Sequence, residues 1–171
     1  DANSIYDKSA LQELVFNFYD DKVGVVCGEL NYRKNNISQE GVYWKIEKVL
    51  KKSESLVGSC LGANGSIYAV RKDLYEDLPA EAISDFIEPF LIYKKGYRVI
   101  YEEKAVCYED VSDNQKEFTR KRRIILRSWQ SLKLIKDFLN PFQYRFYSCQ
   151  LWWHKILRWL VPVFMVILFG I

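Results

Sequence analysis

A chain of 171 residues, 49% of them apolar, is long enough to form one domain of ordinary size with its own hydrophobic core. Its four cysteines lie tens of residues apart without a CxxC pair, which excludes zinc-ligand spacing and a compact disulfide framework. The net charge of +3 is unevenly distributed: residues 116–136 hold eight Lys or Arg and one acidic residue, so this segment carries +7 and the rest of the chain −4.

The first two thirds of the chain alternate between helical and strand patterns. Apolar periodicity predicts a helix near 11–18, a buried strand over 23–30, a polar loop over 31–39 and an amphipathic helix over 41–55. Segment 58–66 contains three glycines but no phosphate-loop motif, and a short strand is predicted over 67–70. A helix over 86–95, with Pro89 in its first turn and Gly96 as C-cap, precedes two short strands over 97–101 and 105–108. This alternation indicates an α/β sheet.

The last third is basic and then apolar. A helix is predicted over 117–139, with Asn140-Pro141 as its break, and residues 142–159 mix aromatic side chains with Arg145, His154, Lys155 and Arg158. That mixture is typical of a helix in a membrane interface, and we interpret His154 and Lys155 as interface markers. Residues 156–171 predict a transmembrane helix that is cut short, with the preceding residues in the cytosol.

Two acidic positions are candidates for chemistry. Asp1 and Asn3 form an Asp-x-Asn pattern whose oxygens suit a hard divalent cation, although the same pattern is common in turns and helix N-caps. Asp85 precedes an apolar helix and follows the glycine-rich segment, so it could serve as a general base. The alternative is that Asp85, or Ser84 before it, caps that helix, and the two roles are compatible.

The basic segment has three interpretations. It could be a solvated helix face opposite a buried side containing Ile124, Leu126 and Trp129. A nucleic-acid site is disfavoured by the neighbouring membrane segment. The third interpretation has Arg120, Arg123 or Arg127 reaching a diphosphate while neighbouring residues meet anionic lipid headgroups, and the adjacent apolar helix favours it. Trp129 could stack on an acceptor sugar or belong to the core, and glycines 62 and 65 allow the backbone to approach a ligand closely.

Six sequence blocks in a fixed order resemble the membrane-bound family 2 glycosyltransferases, the group that contains cellulose and hyaluronan synthases. The blocks are DANSIY, YWKIEK, GANGSIYAVRKDLY, ISDFIEPFLIYKKGYRVIYEEKAVCYE, EFTRKRRIILRSWQSL and LNPFQYRFYSCQLWWHKILRWLVP. The resemblance implies a GT-A type α/β domain, a nucleotide-diphosphate sugar donor, Mg²⁺ or Mn²⁺, a glycan or lipid acceptor, and inversion at the anomeric carbon. It assigns 1–139 to the C-terminal half of that domain, 140–155 to an amphipathic interfacial helix and 156–171 to the truncated transmembrane helix.

The resemblance also implies roles for individual residues. Asp1 and Asn3 match the metal-binding DxD motif, and Asp85 matches the catalytic base. The donor diphosphate and acceptor contacts fall on Gly62, Asn64, Gly65, Arg120, Arg123, Arg127 and Trp129. Where processive members carry QxxRW, the Gln is Arg120 and the Trp is Ile124, and only Arg123 is intact. This departure weakens the case for processive polymer synthesis.

The family's uridine-binding half precedes its DxD motif, so the chain is interpreted as a fragment that is inactive alone. The full-length protein is expected to be a multi-pass protein of the cytoplasmic membrane with a cytosolic catalytic domain, in contact with membrane lipid and without a nucleic-acid partner. The alternative is a non-catalytic relative that binds a ligand or partner at the membrane.

Overall fold

The computed structural model describes residues 4–32, 39–79, 82–109 and 114–170, with the backbone alone described at 39–43 and 114–121. The strands of this part are β1 (Ser4–Tyr6), β2 (Val23–Tyr32), β3 (Tyr68–Val70) and β4 (Arg98–Glu109). The α-helices are α1 (Ala10–Phe16), α2 (Gln39–Val57), α3 (Ser84–Lys94), α4 (Asn114–Leu132), α5 (Pro141–Gln150) and α6 (Leu157–Phe169). Short 3₁₀ turns cover Asn17–Tyr19 and Lys72–Leu74, a longer one covers Lys133–Leu139, and a π-helical segment, Leu151–Ile156, joins α5 to α6.

The four strands form one mixed sheet in the order β1-β4-β2-β3. The two central strands, β2 and β4, are parallel, and the edge strands β1 and β3 run antiparallel to them. Val25 and Val26 are fully buried in β2, because central strands of an α/β sheet are covered on both faces. The predicted α/β class is confirmed, and it agrees with the unbroken apolar run that predicted β2.

The structure corrects the prediction of two strands over 97–101 and 105–108. A single strand, β4, covers both, and its pairing with β2 jumps from Gly28 opposite Glu102 to Glu29 opposite Val106. The residues between form a bulge, which leaves extra residues on one strand without ending it. A Cβ atom at position 28 would lie 2.5 Å from the carbonyl oxygen of Ala105, so only glycine allows the bulge to approach β2 this closely.

Helix α3 begins at Ser84, two residues earlier than predicted, and this places Pro89 in its interior instead of its first turn. Proline has no backbone N–H, so the carbonyl of Asp85, four residues earlier, cannot receive its usual helical hydrogen bond. The N–H of Ala63 donates to that carbonyl at 2.7 Å instead. The glycine-rich segment 58–66 is therefore attached to the first turn of α3 by a bond that Pro89 makes available.

The predicted helix over 117–139 ends as an α-helix at Leu132 and continues as a 3₁₀ turn. The predicted break at Asn140-Pro141 is confirmed: Asn140 caps α5, and its side-chain oxygen accepts from the N–H of Phe142 at 3.0 Å.

Within the described residues, one helical stretch, Pro141–Phe169, is long and apolar enough to cross a membrane by length and composition. Its first part packs on the domain, because Tyr147 and Leu151 are buried in a cluster with Phe90 and Phe138. Its last part is different, since the apolar side chains from Val161 to Phe169 are about half exposed or more. The stretch thus begins inside the domain core and ends in an exposed apolar helix.

Candidate active site

Asp85 lies at the second position of α3, partly buried, with its carboxylate against the glycine-rich segment. A Cβ atom at Gly65 would lie 2.8 Å from Asp85 Oδ2, so the absence of a side chain lets the loop backbone reach the carboxylate. Gly62 has φ +75°, a left-handed conformation that favours glycine. The structure therefore brings three of the predicted site residues, Gly62, Gly65 and Asp85, together.

The helix-capping alternative for Asp85 and Ser84 is not what the structure shows. Ile83 is the N-cap of α3, and no side chain caps this end. The carboxylate of Asp85 accepts backbone hydrogen bonds from its own N–H and from Gly65. A carboxylate in the first turn is also stabilised by the positive end of the helix dipole.

Burial raises the pKa of Asp85 above its ordinary value, and this effect exceeds the opposing effects of the Lys51 and Lys155 charges and the two backbone hydrogen bonds. A raised pKa makes the ionised carboxylate a stronger base, which is the property that general base catalysis requires. Lys51 and Lys155 lie close enough to favour the ionised form. The site therefore combines a stronger base with nearby positive charge.

A second carboxylate, Glu88, lies one turn further along α3 and is 4% exposed. Its Oε2 atom has no hydrogen-bond partner among the described residues. Burial raises the pKa of Glu88, and the charge of Asp85 adds to the effect. Nearby, burial raises the pKa of Tyr68 to about 12, and its hydroxyl lies 3.4 Å from Ser84 Oγ. Sequence reasoning missed Glu88, although the Asp-x-x-Glu spacing places both carboxylates on one helix face.

Asn64 is held by the protein itself. Its side-chain oxygen accepts from Lys51 Nζ at 2.5 Å, its side-chain nitrogen donates to the carbonyl of Gly28, and its backbone N–H lies 3.2 Å from Cys27 Sγ. Lys51 is 4% exposed, and the sequence analysis did not single it out within the amphipathic helix predicted over 41–55. In the structure, Asn64 anchors the glycine-rich segment to α2 and β2.

The basic helix α4 adjoins the start of α3, because Ser131 Oγ accepts from the N–H of Ile83 at 3.2 Å. Arg123, Arg127 and Ser131 follow at intervals of four residues and so lie along one face of α4. Arg123 is exposed, Arg127 is half-buried, and the backbone of Arg120 lies in the same helix. Arg127 and Arg123 therefore lie about one and two turns back along α4 from the contact of Ser131 with the start of α3.

Ile124, Leu126 and Trp129 do not form the buried side that the solvated-face interpretation assigns to them. Ile124 and Leu126 are 42% and 57% exposed. Trp129 is 38% exposed and contacts Trp159, with ring centroids 5.5 Å apart. The indole of Trp129 therefore remains partly accessible to solvent beside α6.

The two predicted metal ligands, Asp1 and Asn3, lie outside the described residues. The strand that follows them is close to the glycine-rich segment, because the hydroxyl of Tyr6 donates to the carbonyl of Ser66 at 2.8 Å. Within the described ranges, no group of three or more His, Cys, Asp or Glu side chains could hold a metal ion.

A buried ionic cluster joins α2 to the π-helical segment and the start of α6. Glu47 and Glu54 on α2 face His154, Lys155 and Arg158, and both glutamates are 7% exposed. Sequence analysis indicated that His154 and Lys155 mark a membrane interface, whereas the structure buries the side chain of His154 to 7% exposure. No local sequence pattern predicts this contact, because Glu47 and Glu54 lie 107 and 100 residues before His154 in the sequence.

Glu47 is expected to make stability depend on acidity. Burial would raise its pKa, but the hydrogen bond from His154 and the charges of Lys155 and Arg158 hold it well below the usual range. A carboxylate with a depressed folded-state pKa stabilises the fold fully above its unfolded pKa of about 4.3, and this contribution is lost as the pH falls below it. Between about pH 7 and pH 3, the free energy of unfolding measured in urea should fall more steeply for the wild-type protein than for the Glu47→Gln variant.

The exposed Glu76, which pairs with Lys95 at the surface, provides the matched control for that series. Glu76→Gln should retain the wild-type pH dependence, because surface ion pairs contribute little. Equal pH dependence in wild type and Glu47→Gln would contradict the assignment.

Comparison with known proteins gives a fold but no family. No family model matches the sequence, and no curated protein matches it. Among solved structures, the fold is similar to that of a mannosyltransferase from Pyrobaculum calidifontis in complex with GDP-Man and Mn²⁺, with a TM-score of 0.61 and 19% sequence identity. The match covers 78% of this chain and 38% of that chain. The chain thus shares its fold with part of a glycosyltransferase and spans well under half of that protein's length.

Proposed function

We propose that the chain forms the acceptor side of a metal-dependent, inverting glycosyltransferase of GT-A type. The enzyme moves a sugar from a nucleotide-diphosphate donor to a glycan or lipid acceptor at the cytoplasmic face of a membrane. The observation that carries the proposal is the carboxylate of Asp85, partly buried against Gly65 with a raised pKa. The likeness to the mannosyltransferase with GDP-Man and the resemblance to family 2 glycosyltransferases support it.

Asp85 acts as the general base. Its carboxylate takes the proton of an acceptor hydroxyl while that oxygen forms a bond to the anomeric carbon of the donor sugar. The bond from this carbon to the diphosphate oxygen breaks, and its electron pair leaves with the nucleoside diphosphate. Attack opposite the leaving group inverts the anomeric carbon. Lys51 favours the ionised form of Asp85, which keeps the base competent.

Asp1 and Asn3 would hold the metal, because a carboxylate and an amide oxygen are hard ligands suited to Mg²⁺ or Mn²⁺. When bound, the ion would neutralise charge on the departing diphosphate. Arg120, Arg123 and Arg127 are proposed to contact the diphosphate or lipid headgroups, and Trp129 to stack on an acceptor sugar. Gly65 provides exposed backbone next to the base, Gly62 is buried against the first turn of α3, and Asn64 lies between them and is anchored to Gly28.

Membrane attachment is proposed for α6. The exposed apolar side chains of this helix have no covering partner in the described residues, whereas α5 and the π-helical segment pack on the domain. This arrangement would hold the catalytic domain against the cytosolic face and bring Trp129 near the bilayer surface. A lipid-linked or nascent glycan acceptor is compatible with that location.

The test is a donor screen on full-length protein in membranes, with a panel of labelled nucleotide-diphosphate sugars. We expect one donor to support transfer to an endogenous acceptor, loss of transfer on chelation, and recovery with Mn²⁺ or Mg²⁺. A non-catalytic relative would bind membranes yet transfer no sugar from any donor, and that outcome would refute the proposed function.

A further inference from the structure

The side chain of His154 lies between two carboxylates of α2. Its Nδ1 atom is 2.8 Å from Glu54 Oε1, and its Nε2 atom is 3.1 Å from Glu47 Oε2. All three side chains are buried, with exposures below 10%. Both ring nitrogens therefore meet an acceptor in a place that water does not reach freely.

A neutral imidazole has one N–H donor and one acceptor nitrogen, whereas an imidazolium has two donors. If His154 were neutral, one of its nitrogens would face a carboxylate oxygen with no proton between them. That arrangement would leave the bare ring nitrogen unsatisfied and set its lone pair against a buried carboxylate oxygen, which is costly. The two short contacts are both satisfied by an imidazolium between two ionised glutamates.

The same cluster holds the glycine-rich segment. The second oxygen of Glu54, Oε2, accepts from the N–H of Leu61 at 3.1 Å. One turn earlier on α2, Lys51 donates to Asn64. Helix α2 therefore fixes the segment at two points three residues apart, and the second of these is next to Gly65 and Asp85.

We propose that His154 is an imidazolium that joins the helical stretch Pro141–Phe169 to α2 through Glu47 and Glu54. It thereby acts as a positioning residue for the glycine-rich segment that lies against Asp85. Other charged groups face this cluster: Lys51 from α2, and Lys155 and Arg158 from the same helical stretch as His154. Arg158 bonds the same Glu47 oxygen at 3.2 Å, which helps to keep that carboxylate ionised. Both glutamates thus bind the helical stretch Pro141–Phe169, and Glu54 also bonds the glycine-rich segment.

The protonation state can be measured directly, because His154 is the only histidine in the sequence. In protein labelled with ¹⁵N-histidine, both ring nitrogens should carry protons at about pH 7.5, where an exposed histidine is mostly neutral. A spectrum of a neutral ring, with one bare nitrogen, would overturn the proposal, because a protonated glutamate would then donate to the imidazole. This measurement uses wild-type protein and needs no activity.

The positioning role rests on the proposed transferase function and is tested in the full-length protein. His154→Phe removes both donors and should lower kcat about tenfold or more with donor affinity unchanged, the behaviour expected when a base is misplaced. His154→Lys keeps a positive charge with several donors and should recover part of that loss. Full activity of His154→Phe would overturn the positioning role, whereas inactivity of wild-type protein with every donor would refute the proposed function instead.

Discussion

Replacing Asp85 with asparagine is expected to lower the turnover of full-length protein by about 10²–10⁴-fold, because the amide cannot accept the proton of the acceptor hydroxyl. Asparagine has nearly the same size, and its oxygen can still accept the backbone hydrogen bond from Gly65. Donor affinity should therefore stay close to that of wild type. Kinetics of sugar transfer, together with direct measurement of donor binding, separate the two effects.

Two further observations decide this assignment. Asp73→Asn changes an exposed carboxylate in the turn Lys72–Leu74 and should leave turnover unaffected. The pKa obtained from the acidic limb of the wild-type kcat/KM pH profile should lie above the ordinary range for aspartate. The reason is that the ionised base is the active form and burial raises the pKa of Asp85. Wild-type turnover in Asp85→Asn would remove Asp85 from the catalytic role.

Gly65→Ala should lower turnover about 100-fold, since a displacement near 1 Å at a catalytic group can cost that much. The new Cβ would lie 2.8 Å from Asp85 Oδ2, so either the carboxylate rotates away or the loop shifts. Donor binding and thermal stability report whether the effect is confined to catalysis.

Gly58→Ala is the matched control for this variant. It lies at the start of the same segment, and a Cβ atom there meets nothing within 4 Å. We expect wild-type turnover and, at most, a small change in stability. If Gly65→Ala behaved like Gly58→Ala, the close approach of the loop to Asp85 would have no catalytic importance.

Local patterns predicted the framework of the site well. The apolar run of β2, the break at Asn140-Pro141 and the helix after Asp85 are all consequences of neighbouring residues, and the structure contains each of them. The proximity of the glycine-rich segment to Asp85 was expected only in outline. Only the tertiary structure shows that Gly65 leaves space for the Oδ2 atom of Asp85.

The missed features depend on contacts between distant residues. Glu102, Glu103 and Lys104 separate the two strands predicted over 97–101 and 105–108, yet pairing of Glu102 with Gly28 keeps them within one bulged strand. His154 has the aromatic and basic neighbours of an interfacial helix, and only the approach of α2 makes it a buried ion. Periodicity in a single segment cannot report which partner will cover it.

Pro89 leaves the carbonyl of Asp85 without a helical donor, and the amide that bonds it instead can be used as a probe of the site. The amide of Ala63 donates to the carbonyl of Asp85, so its proton can exchange with solvent only when the loop separates from the first turn of α3. Its exchange rate therefore measures how often the first turn of α3, which carries Asp85, loses its contact with the glycine-rich segment. Binding of an acceptor that closes the loop over Asp85 should slow that exchange, which would make one backbone proton a probe of substrate engagement.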